Sequence, residues 1–146
     1  MTRVLLLQLP FFTLDSPSIA LSLLKASLKE ANIPCDLLYR NLDFGKQLGP
    51  ELYSFIAGSI PVHSLYGDLL FAEELQQRRV DRDRIQELVH PPGAPGRMEL
   101  PESLIEVFPE LVQQSRAFLD ETMEAIDWSA YQLVGLSTMF TIAPSL

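Results

Sequence analysis

The residues able to do chemistry in this chain sit mostly where apolar runs stop. Val4–Leu9 (VLLLQL) is halted by Pro10, and the turn after it, Pro10–Ser18 (PFFTLDSPS), is the first place to expect a ligand. Ser137 and Thr138 close a later apolar run, Gln132–Met139 (QLVGLSTM), and read either as ligand contacts or as the polar end of a buried strand. Phe11 and Phe12 line a pocket or cap a core, with core the better reading, and Asp15 suits a loop or capping role. Cys35 opens an apolar stretch and reads as a buried, inert thiol. His63 and His90 lack metal-ligand spacing, and Asp81 and Asp83 suit helix capping and first-turn charge. No G-x-G-x-x-G follows the first apolar run, no phosphate-cradling P-loop occurs, and no Ser/His/Asp order stands out.

These positions matter only if elements hold them. Val4–Leu9 is almost unbroken in its apolarity, which suits a strand buried on both faces of a parallel sheet. Ligands of open α/β sheets bind at the carboxyl ends of the strands, which is why the Pro10–Ser18 turn draws attention. A helix is expected next, with Ser16 as N-cap and Pro17 at its first position. Leu21, Leu24, Leu28 and Ala31 recur at helical spacing, widened by Ala20 and Leu23. Asn32 suits a left-handed C-cap, and Ile33-Pro34 stops the helix. Cys35–Tyr39 (CDLLY) then reads as a second strand, parallel and adjacent to the first in a β-α-β unit over 1–40.

From 41 to 128 the pattern is helical. Gly49-Pro50 opens a helix ended by Gly58, Asp68 caps one running to Arg78, and Asp81 caps one over Arg82–Val89. Pro61–Gly67 is a turn-rich connection, and Pro91–Pro101 is too rich in proline and glycine for a regular element. A longer helix starts at Glu102, is kinked or restarted by Pro109, and carries Leu111, Val112, Phe118, Leu119, Met123 and Ile126 on one face, with Ser115 and Thr122. The third strand, 132–139, holds Gly135, which allows close backbone approach. The expected fold is therefore α/β: an incomplete flavodoxin-like parallel sheet in order 2-1-3 with a large helical insertion between strands 2 and 3. Thr141–Leu146 begins another helix, so the segment is expected to be truncated before the second half of its sheet, leaving strand 3 as an apolar edge.

One hundred and forty-six residues suit one domain, and a net charge of −8 argues against nucleic acid, which demands a basic stripe, and against a polybasic membrane patch. A single cysteine excludes an internal disulfide framework and points to the cytoplasm.

Several stretches together resemble a known family: VLLLQLPFF, then PSIALSLLKASLKEANIP, ELYSFIAGSIP, GDLLFAEEL and YQLVGLSTMF. They are similar to the N-terminal part of radical S-adenosylmethionine enzymes with a cobalamin-binding domain, in the subgroup that matures ribosomally synthesised peptides, C-methyltransferases included. The resemblance covers nearly the whole chain. It implies a flavodoxin-like cobalamin-binding sheet followed by a partial barrel holding a [4Fe–4S] cluster on C-x-x-x-C-x-x-C. That cluster cleaves S-adenosylmethionine, and methylcobalamin donates a methyl group to a carbon of the precursor peptide. Two loops would then approach the corrin: Pro10, Phe11, Phe12 and Thr13 with Ser18, and Ser137, Thr138, Met139 and Phe140. Two departures stand out. Cys35 is the only cysteine, so the cluster motif is absent and the segment is expected to be inactive alone; S-adenosylmethionine and the cluster belong to a downstream part. The D-x-H-x-x-G motif that supplies a lower axial histidine elsewhere is also absent, so no cobalt ligand is named.

A second function class competes. The helical insertion suits a non-catalytic module that recognises a leader peptide or partner protein, with another chain completing the sheet. A receiver-type domain fits poorly, because Gln8, Leu9 and Pro10 stand where an acidic cluster would end the first strand.

Overall fold

Five consecutive residues with no solvent-facing alternation make β1, Val4–Gln8, the middle of a sheet: every one of them is buried. The computed structural model describes residues 2–60, 65–76, 85 and 100–138. Within them β1 is flanked by β2 (Cys35–Tyr39) and β3 (Leu133–Ser137), both parallel to it, in the order β2-β1-β3. The register pairs Val4 with Cys35 and Leu133, and Gln8 with Tyr39 and Ser137, so all three carboxyl ends finish level. This is an α/β architecture with the strand order expected from the sequence.

Each face of β1 has its own cover. Val4 and Leu6 pack with Leu21, Leu28, Ile33 and Leu37 under α1 (Ile19–Glu30). Leu5 and Leu7 pack on the other face with Ile126, Trp128 and Tyr131, around the 3-10 turn Trp128–Ala130. Burial of such aliphatic side chains contributes about 1.5–3 kcal/mol each, which makes β1 the anchor of the sheet. Gly135 allows β3 to lie close: a Cβ there would meet the Leu6 Cδ2 at 2.7 Å.

α1 differs from expectation at its start. It begins at Ile19 with Ser18, not Ser16, as N-cap, because the Ser18 Oγ accepts the Leu21 N–H at 3.3 Å. Its end is as expected: Asn32 has φ 56°, and the N–H groups of Asn32 and Ile33 return to the carbonyls of Lys29 and Leu28. The expected stripe is only half used. Leu21 is buried, while Leu23 and Leu24 are 64% and 51% exposed.

The insertion supplies the largest core. α2 (Arg40–Leu48) follows β2 without a break, an element missed in the sequence, and α3 (Pro50–Gly58) starts on its proline as expected. α4 (Tyr66–Gln76) begins two residues before Asp68, so that residue lies in the first turn instead of capping it. α5 (Glu102–Ala125) runs through Pro109 as one helix and buries Leu104, Ile105, Phe108, Leu111, Ser115, Phe118 and Thr122. Met123, expected on that face, is exposed. Ser115 and Thr122 are satisfied by donating to the carbonyls four residues back. Arg40 ties α2 to α5: its guanidinium lies over the Phe118 ring and donates to the Thr122 hydroxyl and the Asp43 carboxylate.

Among the described residues no helix is long and apolar enough to cross a membrane. The expected helix over 82–89, the acidic pair Asp81 and Asp83, the histidines, most of the proline-rich loop, Met139, Phe140 and the start of a helix at Thr141 lie outside the described residues.

Candidate functional site at the carboxyl ends of the strands

In the order β2-β1-β3 the chain passes from β1 to β2 on one side and returns through the insertion to pair β3 on the other, so the carboxyl ends of β1 and β3 lie side by side at the edge where ligands of open α/β sheets bind. Gln8 ends β1 at that edge and is fully buried. Its Nε2 donates to the carbonyls of Ser137 (3.1 Å) and Leu9 (3.4 Å), and the Leu9 N–H also donates to Ser137 (2.9 Å). Those bonds fix which end of the amide is nitrogen. Among the described residues its Oε1 has no partner. A buried acceptor without a donor costs about 1–3 kcal/mol, so this atom is either a liability or a place where something else donates.

The loop after β1 is held from the insertion. The Tyr53 hydroxyl donates to the Phe12 carbonyl (2.7 Å), and the Asn41 Nδ2 donates to the carbonyls of Thr13 (3.0 Å) and Phe12 (3.4 Å). Tyr53 is fully buried, and burial pushes its phenol above the usual range, so it stays a neutral donor. The Thr13 hydroxyl donates to the Asp15 carboxylate, which keeps the loop folded on itself. The Pro10–Phe11 peptide is cis.

The expected site residues fall into distinct places. Pro10, Phe12 and Thr13 are half-buried in the turn. Phe11 turns its ring into the helical core, 5.1 Å from Tyr53 and 5.8 Å from Phe44 between centroids. Ser18 is buried and occupied as the cap of α1. Ser137 is half-buried, with its carbonyl bound by Gln8 and Leu9, and Thr138 is exposed. The parallel register brings the loop after β1 and the pair Ser137-Thr138 to the same edge. Among the described residues no group of His, Cys, Asp and Glu is arranged to hold a metal ion. Cys35 is half-buried, not buried as expected, because β2 is an edge strand among the described residues; its thiol is still pushed up, chiefly by desolvation, which suits an unreactive side chain.

Gln8, Asn41 and Tyr53 were not singled out from the sequence. Gln8 carried a usable signal, because an amide closing an otherwise aliphatic buried strand needs partners at the strand's ligand end. Asn41 and Tyr53 carried none: both act on a loop about 30 to 40 positions earlier, a contact visible only once α2 and α3 fold over it. The chain matches no family model, no curated protein and no solved structure.

Proposed function

We propose that this chain is the cobalamin-binding-like front part of a cytoplasmic radical S-adenosylmethionine enzyme that modifies, by C-methylation, a ribosomally synthesised peptide. The reading rests on the resemblance of the stretches around Val4–Phe12 and Tyr131–Phe140. The observation that carries it in the fold is the Gln8 Oε1, which has no partner among the described residues, at the edge where β1 and β3 end and Thr138 is exposed. A corrin is rimmed with carboxamides, and their N–H groups are donors of the kind this buried acceptor lacks. Thr138 and the half-buried Ser137 and Thr13 would bond the same rim. Bound methylcobalamin would supply a transferable methyl group; the residues here would hold and orient the corrin, and none of them supplies a cobalt ligand. The radical step needs a three-cysteine cluster motif, which this chain lacks. The downstream reading frame is therefore expected to encode that motif together with further strands. Hydroxocobalamin added to the protein should shift the corrin absorbance saturably. A reading frame without a cluster motif, together with no spectral change, removes the proposal.

A second reading is favoured by one observation. Leu133, Val134 and Leu136 of β3 are 56%, 39% and 61% exposed on an edge that is not hydrogen-bonded to a fourth strand among the described residues. A non-catalytic module whose sheet is completed by a partner chain would bury them. A chain that is monomeric and well folded by itself, and binds neither corrin nor precursor peptide, would favour this second reading.

A further inference from the structure

The outer edge of β3 is unpaired among the described residues, and both faces of the strand are apolar and open there. Leu133 lies exposed on one face, Val134 and Leu136 on the other. The Leu9 N–H donates to the Ser137 carbonyl, so in this parallel ladder the backbone groups of Leu133, Gly135 and Ser137 point at β1. Those of Val134 and Leu136 point outward, as two N–H donors and two carbonyl acceptors with no strand to meet among the described residues. The usual guards of an edge strand are missing. From Trp128 to Leu146 the chain has no Lys, Arg, Asp, Glu or His, it has no proline before Pro144, and the β3 register runs without a bulge.

We propose that this edge pairs with the same edge of a second copy of the chain, antiparallel about a two-fold axis through Gly135. That register sets Val134 against the second copy's Leu136 twice over. Each such pair exchanges both of its backbone bonds, and the four aliphatic side chains share one face. Gly135 meets its counterpart on the axis, at the closer spacing of a pair without hydrogen bonds. Sliding by two residues either way sets Val134 against Thr138 or Leu136 against Gln132, and sliding by one sets inward backbone groups against outward ones. Charge selects the occupant. A strand bearing lysines or carboxylates finds no counter-charge along this seam, whereas an uncharged apolar strand matches it, and β3 is itself such a strand. Five residues per copy fall short of the roughly 800 Å² per partner of a standard interface, so the dimer is weak, with a Kd on the order of 100 μM. The dimer rests on the sheet-completing reading above, to which it gives a partner, and needs no corrin.

Sedimentation equilibrium of the full chain from about 10 μM to about 1 mM tests it, and should show a monomer passing to a dimer with no larger species. Added salt should tighten the dimer several-fold, because two chains of net charge −8 repel while the seam holds no ion pair to screen. Val134→Lys and Leu136→Glu, both at exposed positions, should each weaken self-association at least about tenfold and keep the circular dichroism of the parent. Mixed one to one, the two variants should dimerise again, since the new ammonium and the new carboxylate face each other across the seam, and this mixed dimer should loosen with salt. In the parent, hydrogen exchange at the Val134 and Leu136 N–H groups should slow between dilute and concentrated samples. A parent that is monomeric at about 1 mM overturns the proposal, and the sheet-completing reading then requires a different chain. Association that survives both substitutions, a mixture that stays monomeric, or exchange at Val134 and Leu136 that ignores concentration overturns it equally.

Discussion

Tyr53 shows how a single hydroxyl governs the loop that follows the central strand. The residue is buried, and its hydroxyl donates to the Phe12 carbonyl. Tyr53→Phe removes that donor while keeping the ring against Phe11 and Phe44. It should cost about 1–2 kcal/mol in urea unfolding and speed hydrogen exchange in the 10–13 turn. Asp36 offers a test of a different kind. The Tyr131 hydroxyl, 2.9 Å away, and Arg3, 2.8 Å away, hold its carboxyl below the usual carboxylate range. A lowered folded pKa stabilises above the unfolded value of about 4 and is lost as pH falls through the folded one. The same bond raises the Tyr131 phenol, so its contribution is present below about pH 10 and is lost as pH rises further. Asp36→Asn should therefore flatten both the acid and the alkaline limbs of a plot of Tm against pH. Unchanged limbs would contradict the assignment. At this scale the sequence was partly legible. The inert reading of Cys35 and the core reading of Phe11 follow from their neighbours in sequence. The roles of Gln8, Asn41 and Tyr53 depend on partners from 28 to 129 positions away, which no local pattern encodes.

At the scale of elements, boundaries moved where capping groups competed. Ser16, Pro17 and Ser18 all suit a helix start, and the geometry of Ser18 prevails because its Oγ reaches the Leu21 N–H and its carbonyl accepts from Ser22. Ser18→Ala should cost about 1 kcal/mol, whereas Ser16→Ala should fall within about 0.5 kcal/mol of the parent; thermal melts separate the two. Close packing sets a second test between α4 and the β1 loop. A Cβ at Gly67 would come within 2.7 Å of the Phe11 ring, which is wedged among Phe44, Tyr53 and Phe71 and has nowhere to retreat. Gly67→Ala should therefore destabilise by about 1–3 kcal/mol, although alanine normally favours a helix over glycine. α2 escaped the sequence reading because Arg40–Leu48 follows a strand without a turn signal and has few apolar residues. The three strands were legible because apolar runs of strand length, bounded by Pro, Asn and polar residues, leave few alternatives.

At the scale of the molecule, the core on each face of the sheet and the core of the insertion lie on one continuous path through β1 and its loop. β1 sits in the sheet, and Phe11, three residues beyond it, sits in the aromatic cluster of the insertion. A ligand held at the carboxyl edge would therefore be sensed by both. Apolar surface is left uncovered on one flank, where Leu133 and Leu136 lie exposed on β3. Leu136→Lys should lower any self-association measured by sedimentation and leave the unfolding free energy within about 0.5 kcal/mol, because the side chain it replaces is largely in water. The central claim is that the carboxyl edge of β1 and β3 holds a corrin through the Gln8 acceptor. Absorbance titration with hydroxocobalamin, run in parallel on the parent and on Gln8→Leu, tests it most directly. The account predicts a saturable spectral shift for the parent and about tenfold or more weaker binding for the variant, with both proteins equally folded by circular dichroism. No shift with the parent, or the same affinity in both, would contradict it.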